Sequence, residues 1–169
     1  MAARSVQPAA AAKLASLLEE CQVKGSPLRG DGTHLNSVGI VKAAPLVQEL
    51  AADFNADAVL SDSCLCGTEE CEEPDWWAED MEKLTGLHIE ASWGYGFEGS
   101  KKFQKTVYKA WRKNPQARKM ILLFAGNDIS MGRSGAAVAT EMERLQKYWA
   151  EVDLELTYID VVPVCDRGQ

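Results

Sequence analysis

Short apolar runs alternate along this chain with longer segments in which apolar residues recur at helical spacing. The apolar runs are typical of buried strands in a parallel sheet, and they cover residues 58–60, 87–91, 120–125 and 154–162. The amphipathic segments predict helices over residues 8–20, about 37–53, 74–84, 101–113 and 136–150. Strands that alternate with helices favour βαβ units with right-handed crossovers. We therefore predict an α/β protein, a three-layer αβα sandwich with a parallel, flavodoxin-like sheet of roughly four to five strands.

Single residues suggest details within these elements. Pro8 fits the first turn of the first helix, and Ser37 is expected to cap the second. Pro45 lies inside the apolar pattern of that second helix, so it should either kink the helix or mark a later start. His88, in the second strand, has no acidic neighbour at a useful spacing, and we interpret it as structural.

The composition is that of an ordinary globular chain, with 46% hydrophobic and 25% charged residues. Its 169 residues are enough for one domain with a real core, and we expect a single domain over residues 1–169. The net charge of −7 argues against nucleic-acid binding, since the basic residues between 101 and 119 are scattered along a helix. No apolar run approaches the roughly 20 residues of a membrane span.

The first residues lack the apolar region of a signal peptide, so the cytoplasm is the default expectation for localisation. The oligomeric state is left open.

Three of the five cysteines, Cys64, Cys66 and Cys71, form a cluster that suggests a metal site. The cluster lacks the C-x2-C spacing of the usual zinc pairs, and no histidine lies nearby in the sequence. Free thiols or an incidental disulfide explain these residues better than a metal-binding module. We expect neither a metal nor a cofactor.

Polar residues follow the predicted strands at the point where each strand ends. Asp62 and Ser63 follow the first strand, a glycine-rich segment at 94–99 follows the second, and Asn127 and Asp128 follow the third. A parallel sheet brings these segments to one edge, which is where open α/β sheets bind ligands. Alone, the Asp-Ser pair is a weak signal, because a serine after a strand is more often a helix cap than a nucleophile.

Asp31 and His34 lie three positions apart in a turn-rich segment ahead of the second helix. This spacing lets the carboxylate orient the imidazole, whose other nitrogen stays free to act as a base. The alternative is an Asx turn with a helix cap. Together with the segments after the strands, the pair supplies a nucleophile, an oriented base, backbone N–H donors and an asparagine amide.

These blocks resemble those of the SGNH/GDSL hydrolase family, the lipase- and esterase-like serine hydrolases. Ser61-Asp62-Ser63 is similar to the family's Gly-Asp-Ser nucleophile block, and residues 96–99 are similar to its glycine block. Residues 125–128 are similar to the Gly-x-Asn-Asp block, with alanine in the first position. Residues 31–39 closely match the Asp-x-x-His block and the helix behind it. The resemblance extends over about residues 8–163.

The resemblance implies a role for each matching residue. Ser63 would attack the carbonyl carbon of a small-molecule carboxylic ester, with His34 as general base and Asp31 fixing the imidazole tautomer. The oxyanion would be held by the backbone N–H groups of Ser63 and Gly99 and by the side chain of Asn127.

The order of the blocks departs from the family's, in which the Asp-x-x-His block comes last. Here it comes first, so we interpret the chain as a circular permutation of the family's order. A permutation is feasible because the termini of a domain often lie close together. Residues 1–54 then correspond to the family's C-terminal segment, and residues 55–169 to its N-terminal and middle segments. A slice of a tandem array would give the same order.

If the site closes within one chain, the helix at 37–53 packs antiparallel to the strand at 58–60 through the short turn between them. The start of that helix, which His34 precedes, then comes to the carboxyl end of the strand. A non-catalytic SGNH-like binding module or an inactive permuted fragment is the alternative function. The replacement of family glycines by Ser61 and Ala125 favours this alternative.

Overall fold

The computed structural model describes residues 8–22, 25–27, 35–61, 76–91, 100–123 and 132–159. Helices and strands alternate through these ranges, as the sequence pattern predicts. In chain order they are α1 (Ala9–Gln22), α2 (Ser37–Asp53), β1 (Ala58–Ser61), α3 (Trp76–Thr85), β2 (His88–Ala91), α4 (Ser100–Lys113), β3 (Lys119–Leu123), α5 (Gly135–Ala150) and β4 (Glu155–Tyr158).

The four strands form one parallel sheet in the order β2-β1-β3-β4. This order matches the first four positions of the flavodoxin-like sheet, so the predicted α/β fold is confirmed. The strands β1 and β3 each have a neighbour on both sides, and their residues are buried almost without a break. Near-continuous apolar strands of this kind are typical of a parallel sheet covered on both faces.

Alternate strand residues pack into two different apolar clusters, because successive side chains of a strand point to opposite faces. Val59 and Ile121 belong to the cluster formed with α1, α2 and α3. Leu60 and Met120 belong to the cluster formed with α4 and α5. Among the described elements, the sheet is therefore the middle of three layers, with three helices on one face and two on the other.

The residue that caps α2 is Asn36 and not Ser37, so the sequence-based prediction of this cap was wrong. Asn36 Oδ1 accepts a hydrogen bond from the N–H of Gly39 at 3.0 Å, which satisfies one of the free donors of the first turn. Asn36 Nδ2 also donates to the carbonyl oxygen of Pro27 at 2.8 Å. Ser37 is the first residue of the helix, and α2 continues through Pro45, so the proline marks no later start.

A short turn reverses the chain between α2 and β1. Asn55 has a φ of 49°, in the left-handed region that asparagine tolerates better than most residues. The N–H of Ala56 donates to the carbonyl oxygen of Ala51 at 2.8 Å, and the N–H of Asp57 donates to that of Lys119 at 2.7 Å. The turn therefore ends α2 and pairs the start of β1 with β3.

None of the described helices is both long enough and apolar enough to cross a membrane.

Candidate functional site

The last residues of three neighbouring strands lie side by side at the carboxyl edge of the sheet. Ser61, which ends β1, is paired with Ala91 at the end of β2 and with Leu123 at the end of β3. Neighbouring strands are about 4.8 Å apart. The three segments that carry Ser63, the glycine block and Asn127 therefore leave the sheet from adjacent positions.

Helix α2 points its first turn toward the same edge. It packs its buried residues Val47 and Leu50 into the cluster that contains Val59 of β1, and a four-residue connection, 54–57, joins it to that strand. Such a short connection makes α2 run back along the strand. Because α2 is about 25 Å long and β1 about 13 Å, the helix begins beyond the strand's carboxyl end.

Leu35 fixes the chain just before α2. Its side chain is fully buried and belongs to the same apolar cluster as Leu123, the last residue of β3. His34 is the residue directly before Leu35 in the sequence. The packing of this helix beside the strand, which we predicted from the short turn between them, is present between α2 and β1.

The five predicted site residues, Asp31, His34, Ser63, Gly99 and Asn127, lie outside the described residues. The clustered cysteines 64, 66 and 71 lie outside them as well. Described elements lie close in the sequence to two of these residues: Ser61 is two positions before Ser63, and α4 begins directly after Gly99.

Ser61 is the residue directly before the predicted Asp62-Ser63 pair. Its side chain is completely buried at the end of β1, between β2 and β3. The packed sheet thus accommodates a serine side chain at this position.

His88 has two acidic neighbours, so our sequence-based interpretation of this residue was wrong on that point. Its Nδ1 lies 2.9 Å from Oε1 of Glu82 in α3, and its Nε2 lies 3.3 Å from Oε1 of Glu90 in β2. Alternate residues of a strand share a face, and this spacing of two between His88 and Glu90 is the signal that the sequence reading missed.

Glu90 is a buried carboxylate with two lysine partners. Its side chain is only 3% exposed, and Lys113 Nζ lies 2.7 Å from Oε1 while Lys109 Nζ lies 3.3 Å from Oε2. Burial by itself raises the pKa of this carboxyl group, but the contacts with His88 and Lys113 and the charge of Lys109 outweigh it and lower the pKa to about 2.

The Glu90 carboxylate is unsuited to proton transfer at neutral pH. A general acid or base works best when its pKa lies near the operating pH, and the pKa of Glu90 is far below that range. Glu90 is therefore a fixed negative charge at neutral pH. Across the described ranges, no group of three or more histidine, cysteine, aspartate or glutamate side chains is arranged to hold a metal ion.

A groove of about 560 Å³ lies at the other edge of the sheet. Arg118, Lys119 and Glu155, at the amino ends of β3 and β4, line it together with the end of α5. Because the candidate residues follow the carboxyl ends of the strands, this groove is separate from the candidate site.

Comparison of the chain with protein-family models, with curated proteins and with solved structures found no match.

Proposed function

We propose that this protein is a serine hydrolase of the SGNH type that cleaves carboxylic esters. Ser63 is the nucleophile, His34 the general base and Asp31 the residue that orients the imidazole. The observation that carries the proposal is the pairing of Ser61 with both Ala91 and Leu123 at the carboxyl edge of the sheet.

This pairing matters because the three blocks must work at one ester carbonyl. Two positions along the chain separate Ser63 from Ser61, and four separate Asn127 from Leu123. Segments that start from adjacent strand ends can surround a common crevice, and open α/β sheets bind their ligands at such an edge. The first turn of α2 supports the addition of Asp31 and His34, since it begins at the same edge.

Acylation starts when Ser63 Oγ forms a bond to the ester carbonyl carbon and passes its proton to the imidazole of His34. The tetrahedral intermediate then breaks the bond to the leaving alkoxide, which takes the proton from His34. The products of this step are an alcohol and an acyl ester on Ser63.

Deacylation repeats these two steps with water as the nucleophile. Water attacks the acyl carbonyl and gives a proton to His34, and Ser63 Oγ takes that proton when the carboxylic acid leaves. In both steps the backbone N–H groups of Ser63 and Gly99 and the amide of Asn127 stabilise the oxyanion. Losing one such donor typically lowers turnover by about 100- to 1000-fold.

Hydrolysis of p-nitrophenyl acetate and p-nitrophenyl butyrate tests the proposal. We expect measurable turnover by the wild type and none by Ser63→Ala. Ser16→Ala is the matched control, because Ser16 is an exposed serine on α1 whose replacement should leave turnover unchanged. A wild type that hydrolyses neither ester, or a Ser63→Ala variant as active as the wild type, would contradict the proposal. The first result would favour a non-catalytic binding module or an inactive permuted fragment.

A further inference from the structure

The glycine block lies in the segment that connects β2 to α4. Glu90, in β2, forms ion pairs with two lysines of α4. β2 ends at Ala91, one residue after Glu90, and α4 begins at Ser100, directly after Gly99. Lys109 and Lys113 reach back from α4 to the Glu90 carboxylate. The segment that carries the proposed oxyanion donor is therefore flanked on both sides by elements that these ion pairs join.

The ion pairs restrain α4 in a way that its apolar contacts do not. Val107 and Ala110 pack α4 onto the sheet, and such apolar attraction is non-directional. Lys109 and Lys113 are four residues apart, so they lie on one face of the helix. Each contacts a different oxygen of the same carboxylate, at 3.3 Å and 2.7 Å. Sliding or rotating α4 would therefore separate at least one ammonium group from a carboxylate that has almost no contact with solvent.

We propose that Glu90 is a positioning residue of the proposed hydrolase. Through Lys109 and Lys113 it sets where α4 begins relative to the carboxyl end of β2, and so where the Gly99 N–H lies relative to the oxyanion. This inference rests on the proposed function. An oxyanion donor stabilises the transition state more than the bound ester, so its displacement lowers kcat and leaves KM nearly unchanged.

A second contact of the same cluster supplies the control. Glu82 Oε1 accepts a hydrogen bond from the N–H of Ile89 at 3.0 Å and lies 2.9 Å from His88 Nδ1. Glu82 thus joins α3 to β2, and none of its contacts among the described side chains reaches α4. Glu82→Gln should weaken the same edge of the sheet without releasing α4.

The test compares the steady-state kinetics of the wild type, Glu90→Gln and Glu82→Gln with p-nitrophenyl butyrate. All are measured at a temperature where circular dichroism shows each to be folded. We expect Glu90→Gln to lower kcat by about tenfold or more, with KM within about twofold of the wild type. Glu82→Gln should keep kcat within about twofold of the wild type.

Lys113→Gln provides a second route to the same result. The Lys113 side chain is 53% exposed, so this variant should fold even if Glu90→Gln does not. Like Glu90→Gln, it should lower kcat without raising KM. The double variant Glu90→Gln/Lys113→Gln should be no slower than Glu90→Gln alone, since both substitutions break the same link.

The outcomes separate this inference from the proposed function. An active wild type with an unchanged kcat in Glu90→Gln and Lys113→Gln would overturn the positioning role and leave the hydrolase proposal intact. Equal loss of kcat in Glu90→Gln and Glu82→Gln would overturn it too, because general loosening of the edge would then explain both. A wild type without turnover would overturn both proposals.

Discussion

The Asp57 carboxylate joins the start of β1 to the start of β3. Its Oδ2 accepts hydrogen bonds from the backbone N–H groups of Arg118 at 2.7 Å and Lys119 at 2.9 Å. Asp57 is the last residue of the short turn between α2 and β1. The contact therefore anchors the connection between α2 and β1.

Replacing Asp57 should weaken the fold measurably. Asp57→Ala leaves two backbone N–H groups without their acceptor, and we expect the free energy of unfolding to fall by about 1–2 kcal/mol. Asp57→Asn retains an acceptor oxygen and should lose less. Asp53→Ala, an exposed substitution at the end of α2, is the control and should stay within about 0.5 kcal/mol of the wild type. Urea denaturation measures all four proteins, and equal stability of Asp57→Ala and Asp53→Ala would contradict the anchoring role.

Glu90 should make stability depend on pH in acid. Its pKa in the folded protein is about 2, below the ordinary value of 4.5. The stabilisation from its ionised form is therefore fully present above about pH 4.5 and is lost as the pH falls toward 2. We expect the free energy of unfolding of the wild type to exceed that of Glu90→Gln by roughly 1–3 kcal/mol at pH 7. This range allows for the screening by solvent around the two half-exposed lysines.

Urea denaturation of both proteins at pH 7, at pH 5 and at the lowest pH at which they remain folded measures this difference. The difference in free energy of unfolding should be clear at pH 7 and pH 5 and should shrink below about pH 4.5. A gap that stays constant into acid would show that Glu90 is not an ionised partner of the lysines.

The cap of α2 can be tested with two adjacent residues. Asn36→Ala removes the acceptor of the Gly39 N–H and the donor to Pro27, and it should cost about 1 kcal/mol of unfolding free energy. Ser37→Ala changes the first residue of the helix, which is exposed, and should lower the free energy of unfolding only slightly. Thermal denaturation distinguishes the two, and a larger loss in Ser37→Ala would contradict the cap that the structure shows.

Much of the fold follows from the sequence, because its periodicity is strong. The prediction of a helix at 101–113 differs from α4 by one residue at its start, and the strand predicted from residue 120 begins at Lys119. The cap of α2 was misplaced because Asn36 and Ser37 are both good caps and stand side by side. The hydrogen bond from Asn36 to Pro27, nine residues away, was not visible in the local pattern.

The contacts around Glu90 could be predicted from the sequence only in part. The alternation of His88 and Glu90 could be read from the strand pattern. Their partners could not, because Lys109 and Lys113 come from a later helix and Glu82 from an earlier one. Only the packing of α3 and α4 on opposite faces of the sheet brings these groups to one edge strand. Ser63 and Asn127 were predicted as site residues because each follows a clear buried strand.

Closure of the site within one chain can be tested by mixing two inactive variants. If Asp31 and His34 act on Ser63 of the same molecule, a mixture of Ser63→Ala and His34→Ala chains should stay inactive toward p-nitrophenyl acetate. Restored turnover would instead show that one chain supplies the base to another's nucleophile. Size-exclusion chromatography of the mixture provides the control, because it reports whether the two chains associate.

Labelling with a fluorophosphonate probe tests the central claim most directly, because the probe reacts with a serine that a neighbouring base activates. Peptide mapping by mass spectrometry should find one probe molecule per wild-type chain, attached to Ser63. Ser63→Ala should take up no probe, His34→Ala should react far more slowly, and Ser16→Ala should react like the wild type. Absence of label from the folded wild type, or label on a serine other than Ser63, would contradict the account.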